Sequence, residues 1–263
     1  VAGDLATVED DYTTASGKKI DIKFYVDKGD QDYCGHAIQS LKKAMKWDEE
    51  VYGLEYDLDT DQIVSTRDFN FAAMENKGLN IFNSAFVLAD PKTATDDDYL
   101  NIEAVIAHEY FHNWTGNRVT CRDWFQITLK EGLTILREQD FVADMNSRAV
   151  SRICEVRTLK KLQFAEDSGP NAHPIRPDSY IEIDNFYTHT IYRKGAEVIR
   201  MIHTILGHER FIAGVTRYFE LYDGMAVTTE DFINAMQEVS GHDFTQFKRW
   251  YRQSGTPVCK VHS

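Results

Sequence analysis

Cysteine is scarce in this chain and carries no pattern. Cys34, Cys121, Cys154 and Cys259 lie far apart, and no C-x-x-C spacing occurs. That excludes a disulfide framework and reads as free thiols in a reducing compartment, the cytoplasm. Long hydrophobic runs are missing as well, so no segment has the length and apolarity of a membrane span. Positive charge is in deficit: 29 Lys and Arg against 42 Asp and Glu leave a net charge of −13. Such a balance argues against nucleic acid or an anionic membrane surface as a partner. There is no low-complexity segment and no repeat. The chain opens at Val1 without an initiator methionine or a signal-peptide pattern, which is expected of a piece of a longer protein.

What is present suits one large domain or two small ones. Apolar residues make up 43% of the 263, enough for a sizeable core. Alternation of Ile20, Ile22, Phe24 and Val26 predicts a strand. An amphipathic helix is expected over 34–52, stopped by Gly53, with Ile38, Leu41, Met45 and Trp47 buried. Short strands are expected at 62–66 and 79–88. After residue 91 the pattern turns helical, with helices expected near 100–115, 124–145, 149–165, 187–206, 208–222, 229–240 and 243–254. Gly207 and Gly241 are read as helix stops. Residues 1–5 and 257–261 read as isolated strands. The fold class is therefore α+β, a sheet-bearing N-terminal lobe followed by a helical lobe.

The chemistry concentrates in His108-Glu-Tyr-Phe-His112 and Glu131. Two histidines four apart on a helix share one face and can reach one metal ion. Glu109 stands beside the first, within reach of a metal-bound water. Glu131, with eighteen residues between it and His112, supplies a third ligand on the next helix. Three protein ligands leave a fourth position for water, the mark of a catalytic zinc. The alternative is a solvated helix with histidines spaced by accident. Against it, Ile102, Val105, Ile106, Tyr110 and Phe111 make the helix strongly apolar, and an unsatisfied imidazole is costly there. Asp96, Asp97 and Asp98 suit the helix N-terminus, and Gly116 or Asn117 its left-handed cap. Glu138, seven residues after Glu131, is a candidate partner for a ligand histidine.

Outward from this motif, Ala72-Ala-Met-Glu-Asn76 precedes it, and longer strings run from Met74 to Asn83, from His108 to Asn117 and from Gln253 to Pro257. Together they resemble the aminopeptidase N family of zinc exopeptidases, in its bacterial branch, across essentially the whole chain. The resemblance implies a thermolysin-like catalytic domain, with the zinc site at the seam of its two lobes. It places that domain over residues 9–255, with residues 1–8 left from a preceding domain and 256–263 opening a following one. It implies one Zn2+ per chain, held by His108, His112 and Glu131, with Glu109 as general base and Tyr192 stabilising the tetrahedral intermediate. Glu75 would bind the free α-amine of the peptide substrate, within a substrate-binding segment of Ala72, Ala73, Met74, Glu75 and Asn76. Read without the resemblance, Tyr192 is one of 13 tyrosines and Glu75 a surface carboxylate.

Ala72 departs from the family pattern, which begins with glycine. The added methyl is tolerated where the backbone is extended and costly where φ is positive; extended backbone is expected. Phe71 is either core or a wall of the pocket for the first substrate side chain. The expected activity is removal of the N-terminal residue from peptides. Three readings compete: an endopeptidase of thermolysin type, a relative of the epoxide-opening leukotriene hydrolase, and a domain that only binds zinc or peptide. The last applies to the isolated domain, expected to bind zinc but hydrolyse weakly without its neighbours.

Overall fold

The computed structural model describes residues 1–262 and divides into two compact units. Val1–Asn117 and Arg137–Asn146 form the first; Arg118–Leu136 and the residues from 147 onward form the second.

The first unit is built on a mixed sheet of five strands: β1 (Ala6–Thr13), β2 (Lys19–Val26), β3 (Thr60–Thr66), β4 (Ala73–Met74) and β5 (Leu79–Asn83). Their spatial order is β1-β2-β3-β5-β4. The two outer pairs are antiparallel and the two inner pairs parallel. The parallel step from β2 to β3 needs a crossover, supplied by helix α1 (Gly35–Tyr52). Ile20, Ile22, Phe24 and Val26 are fully buried on one face of β2, the alternation the pleat dictates. Helix α1 ends at Gly53 in the left-handed conformation (φ 69°), as expected of a glycine stop.

Helix α2 (Asp96–Phe111) packs on α1. Thr95 and Asp98 close its N-terminus reciprocally: Asp98 N–H donates to Thr95 Oγ1 at 3.3 Å, and Thr95 N–H to Asp98 Oδ2 at 2.7 Å. Beneath it, Trp47, Phe111 and Phe141 form an aromatic cluster with centroids 5.2 to 5.8 Å apart. Phe141 comes from helix α3 (Thr128–Met145), whose first half belongs to the second unit and whose second half to the first.

In the second unit β6 (Thr120–Cys121) pairs in parallel with β7 (Ala226–Val227). Helices α4 (Arg148–Thr158), α5 (Phe164–Asp167), α6 (Gly195–Leu206), α7 (His208–Tyr222), α8 (Thr229–Ser240) and α9 (Arg249–Arg252) complete its regular α-helices. Helix α6 stops at Gly207 and α8 at Gly241.

Several boundaries differ from expectation for local reasons. The strand expected over 79–88 stops at Asn83, whose side chain accepts from Ala85 N–H at 3.0 Å and turns the chain. The helix expected over 243–254 shrinks to Arg249–Arg252. Asp243 Oδ1 takes Thr245 N–H at 2.8 Å, a local bond that competes with helix. The continuous helices expected over 149–165 and 187–206 are broken by wider π turns at Leu159–Gln163 and Thr190–Lys194. Residues 1–5 and 257–261 are not strands; with no neighbour for their backbone groups, extended sequence alone does not make one. β1, not anticipated, pairs with β2 along its whole length, so the boundary expected at residue 8 falls inside it. Among the described residues, no helix is long and apolar enough to cross a membrane.

Candidate active site

In the first unit the site grows from the C-terminal turn of α2. His108 and Glu109 close the helix and His112 is its right-handed C-cap; the chain turns away four residues later at Gly116, at φ +140°, where Asn117 N–H donates to His112 O at 3.0 Å. Side chains reinforce the backbone bonds to the terminal carbonyls. Thr115 Oγ1 donates to Phe111 O at 3.0 Å, and Arg137 Nη1 donates to the same oxygen at 2.9 Å. Arg137 is fully buried and pairs with Asp48 of α1. Burial pushes the Asp48 carboxyl up to about 6, with Arg137 pulling the other way. The helix end that carries both histidines is thus bolted to α1 through one guanidinium.

Both imidazoles are oriented from behind. His108 Nδ1 lies 2.9 Å from Glu138 Oε2, the partnership expected for Glu138, and His112 Nδ1 lies 2.7 Å from Thr115 O. Each of those partners is an acceptor, so each Nδ1 carries the proton and each Nε2 presents a lone pair. The two Nε2 atoms face one another at 3.0 Å. Two lone pairs at that distance repel unless a cation lies between them. This arrangement fits a metal ion.

Glu75 and Glu109 are buried beside the histidines. Carboxylate and imidazole ligand atoms of Glu75, Glu109 and His112 lie within 4.8 Å of one another. Glu75 follows β4, the edge strand of the sheet. Asn83 N–H donates to Ala72 O at 2.9 Å, and no residue except glycine has positive φ among the described residues. Ala72 therefore keeps the ordinary backbone its methyl requires. Gly78, at φ +72°, turns the chain from β4 into β5, and a methyl there would meet Leu58 Cδ1 at 2.7 Å. The segment is tied to the residues after α2. Asn117 Nδ2 donates to Glu75 O at 2.8 Å, and Lys77 Nζ reaches Asn113 Oδ1 at 2.6 Å and Asp57 Oδ1 at 2.5 Å. Phe71 is 49% exposed, which removes the core reading for it.

The second unit holds Glu131 and Tyr192. Glu131 is buried in the first turn of α3 and paired with Lys130. Tyr192 sits in the π turn Thr190–Lys194, half-buried against Ile127, Phe186 and Ile191. Such turns displace side chains from the regular helical track. Thr128 Oγ1 donates to Ile191 O at 2.7 Å. Gly132 and Gly195 allow the two helices to touch: a methyl on Gly132 would sit 2.9 Å from the Gly195 carbonyl carbon. The Gln253–Pro257 string finds a structural role here. Asp167 pairs with Lys194 at 2.6 Å and accepts Gly255 N–H at 2.7 Å, while Lys194 donates to Gly255 O at 3.0 Å.

Sequence reading missed Arg137, Asp61, the Gly132–Gly195 contact and the bond from Asn117 to Glu75 O. Asp61, in β3, is buried and shares a small cavity with Glu109. Burial raises its carboxyl to about 7, against the Tyr56 hydroxyl and Lys77. No local signal marks it, because Asp61 follows Asp57 and Asp59 in a polar run ahead of Ile63 and Val64.

A mixed sheet with a crossover helix, a helical second unit and a His-Glu-x-x-His helix end built to face a cation define a metallopeptidase domain of thermolysin-like fold. The model of the Peptidase family M1 domain matches residues 36–251. Aminopeptidase N of Escherichia coli (strain K12) is 61% identical over 261 residues, 99% of this chain and 30% of its own length. Aminopeptidase N of Caulobacter vibrioides is 60% identical over 263 residues, again 30% of its length. The crystal structure of Legionella pneumophila aminopeptidase A in complex with aspartic acid superposes with a TM-score of 0.88 at 36% identity, covering 96% of this chain and 28% of that one. The chain belongs to peptidase family M1, and it spans about 30% of the length of the curated relatives it matches.

Proposed function

We propose that this chain is the catalytic domain of a zinc aminopeptidase that removes the N-terminal residue of peptides. The observation that carries the reading is the pair of Nε2 atoms facing each other at 3.0 Å, with buried carboxylates of Glu75 and Glu109 beside His112. We assign the zinc to His108, His112 and Glu131. Two imidazoles and one carboxylate are a catalytic zinc donor set. Glu131 stands seven residues before Glu138 on one continuous helix, hence on nearly the same face, and Glu138 holds His108.

When bound, the zinc supplies a Lewis acid and a water of lowered pKa. Glu109 takes the proton of the attacking water and passes it to the leaving amine. Tyr192 donates its hydroxyl to the developing oxyanion. The free edge of β4 offers backbone groups to an extended substrate over Ala72, Ala73 and Met74, and Asn76 closes the turn by accepting Leu79 N–H at 2.8 Å. Glu75 holds the substrate ammonium, so that the first peptide bond is the one presented. Phe71 borders the pocket for the first side chain. The free thiols Cys34, Cys121, Cys154 and Cys259 suit a cytoplasmic setting. Because the chain spans about 30% of its relatives, we further propose that the segments before β1 and after residue 255 lead into neighbouring domains that complete the cleft, and that the domain alone binds zinc but turns over slowly.

The test is Glu109→Gln beside Tyr192→Phe. Both should keep one zinc by metal analysis. The first should lose about 10²–10⁴ in turnover, and the second should lower kcat far more than it changes KM. Full turnover by the Gln variant refutes the assignment of Glu109.

A further inference from the structure

Asp61 is an acid in an unusual place. It is 2% exposed on β3, its Oδ1 accepts from the Tyr56 hydroxyl at 3.3 Å, and its Oδ2 meets no hydrogen-bond partner in the protein. A cavity of about 10 Å³ adjoins it, lined by Tyr56, Asp61, Asn80, Glu109, Asn113 and Asn117. A buried water needs about 10–15 Å³ and two to four polar partners. The cavity is large enough for one water and no more, and Asp61, Asn80, Glu109, Asn113 and Asn117 bring polar side chains to its wall.

The surrounding charges narrow the role. From the link after α1 come Tyr56 and Asp57, from the turn after β4 Lys77, and from α2 Glu109 and Tyr110. Lys77 Nζ is committed to Asp57 and Asn113. Tyr110 is buried and keeps its proton. Burial favours the neutral form of Asp61. A neutral carboxyl can donate, and it puts no second anion behind Glu109.

We propose that this cavity is a site for a single structural water, through which Asp61 acts as a positioning residue for the Glu109 carboxyl. The positioning role rests on Glu109 being the general base. Asp61 and its water hold Glu109 from behind and leave its front oxygen for the reacting water.

Crystal structures of this chain that resolve waters, as native, Asp61→Asn and Asp61→Val, test the site. One water bonded to residue 61 is expected in the native and Asn forms and none in the Val form. An empty native cavity, or a water that does not touch Asp61, overturns the site. On the zinc-loaded protein, Asp61→Val should lower kcat about tenfold, a fraction of what a general base contributes, with KM and zinc content held and no loss of thermal stability. Asp61→Asn should retain most of the native kcat. Unchanged kcat in the Val form, or a loss matched by lower stability and equal in both variants, overturns the positioning role. If the native protein hydrolyses no peptide, the reading of Glu109 falls and the positioning role with it, while crystallography still decides the water.

Discussion

Gly195→Ala is the sharpest perturbation the second unit offers. An alanine inside a helix ordinarily stabilises by up to about 1 kcal/mol over glycine. Here the added Cβ would lie 2.2 Å from Thr128 Oγ1 and 3.3 Å from Gly132 Cα. Ordinary contact begins at 3.4 Å, so the gap is short by 3.4 − 2.2 = 1.2 Å. Two responses exist. Thr128 can rotate away, which breaks its bond to Ile191 O and leaves that buried carbonyl short of a donor, at about 1–3 kcal/mol. Otherwise the helices part, an overpacking cost of about 1–3 kcal/mol. Either outweighs the propensity gain, so a net loss of about 1–2 kcal/mol is expected by chemical denaturation. If the helices part, Tyr192 shifts by about 1 Å relative to Glu131, enough to cost about 10² in turnover. Thr128→Ala separates the causes, because Thr128 Cβ lies 3.6 Å from the added methyl, an ordinary contact. The double variant should be less damaged than the sum of the singles. Native stability and turnover in Gly195→Ala, or strict additivity with Thr128→Ala, would refute the close-approach argument.

Other expectations follow from buried charge. Arg137→Met should cost about 3–5 kcal/mol by stranding Asp48. The loss should be smallest in acid and grow as the pH rises past the Asp48 range near 6, because a protonated Asp48 needs no cation; a pH-independent loss by denaturation would contradict this. For Asp61 the sign runs the same way. Its folded carboxyl titrates near 7 against an ordinary 3.8, so the folded state binds the extra proton and stability falls as the pH rises from about 4 to 7, by at most about 1.4 kcal/mol per pH unit. Asp61→Asn should flatten that slope, and equal slopes in both proteins would refute it. Asp167→Ala should release the Gly255 amide, now donated to Asp167 at 2.7 Å, into faster hydrogen exchange; unchanged protection would show that the clamp on the 253–257 segment lies elsewhere.

The parts legible in the sequence were those with a strong local code. The capped apolar helix of His108 and His112, α1 with Gly53 at its end, and the alternating β2 all follow from periodicity and capping chemistry. β1 was not legible, because Ala-Thr-Val-Glu-Asp-Asp-Tyr-Thr is polar on its open face and alternates only between half-buried and exposed. The π turn at Tyr192 leaves no mark on a helical pattern. Arg137 looked like one more charge on a long helix, although it is the largest fully buried side chain. Gly132 and Gly195 lie 63 residues apart, and only tertiary packing makes them partners. For β1, Arg137 and the glycine pair the missing information was a long-range contact, which a window of local sequence does not contain.

The central claim is that Glu75 measures from a free amino terminus while the zinc site cleaves the adjacent bond. Its most direct measurement compares one peptide with its N-acetylated twin on the zinc-loaded protein, with products identified by mass. Release of the first residue from the free peptide alone, with that preference lost in Glu75→Ala, is the predicted result. Equal cleavage of both peptides, or cuts at internal bonds, would contradict it.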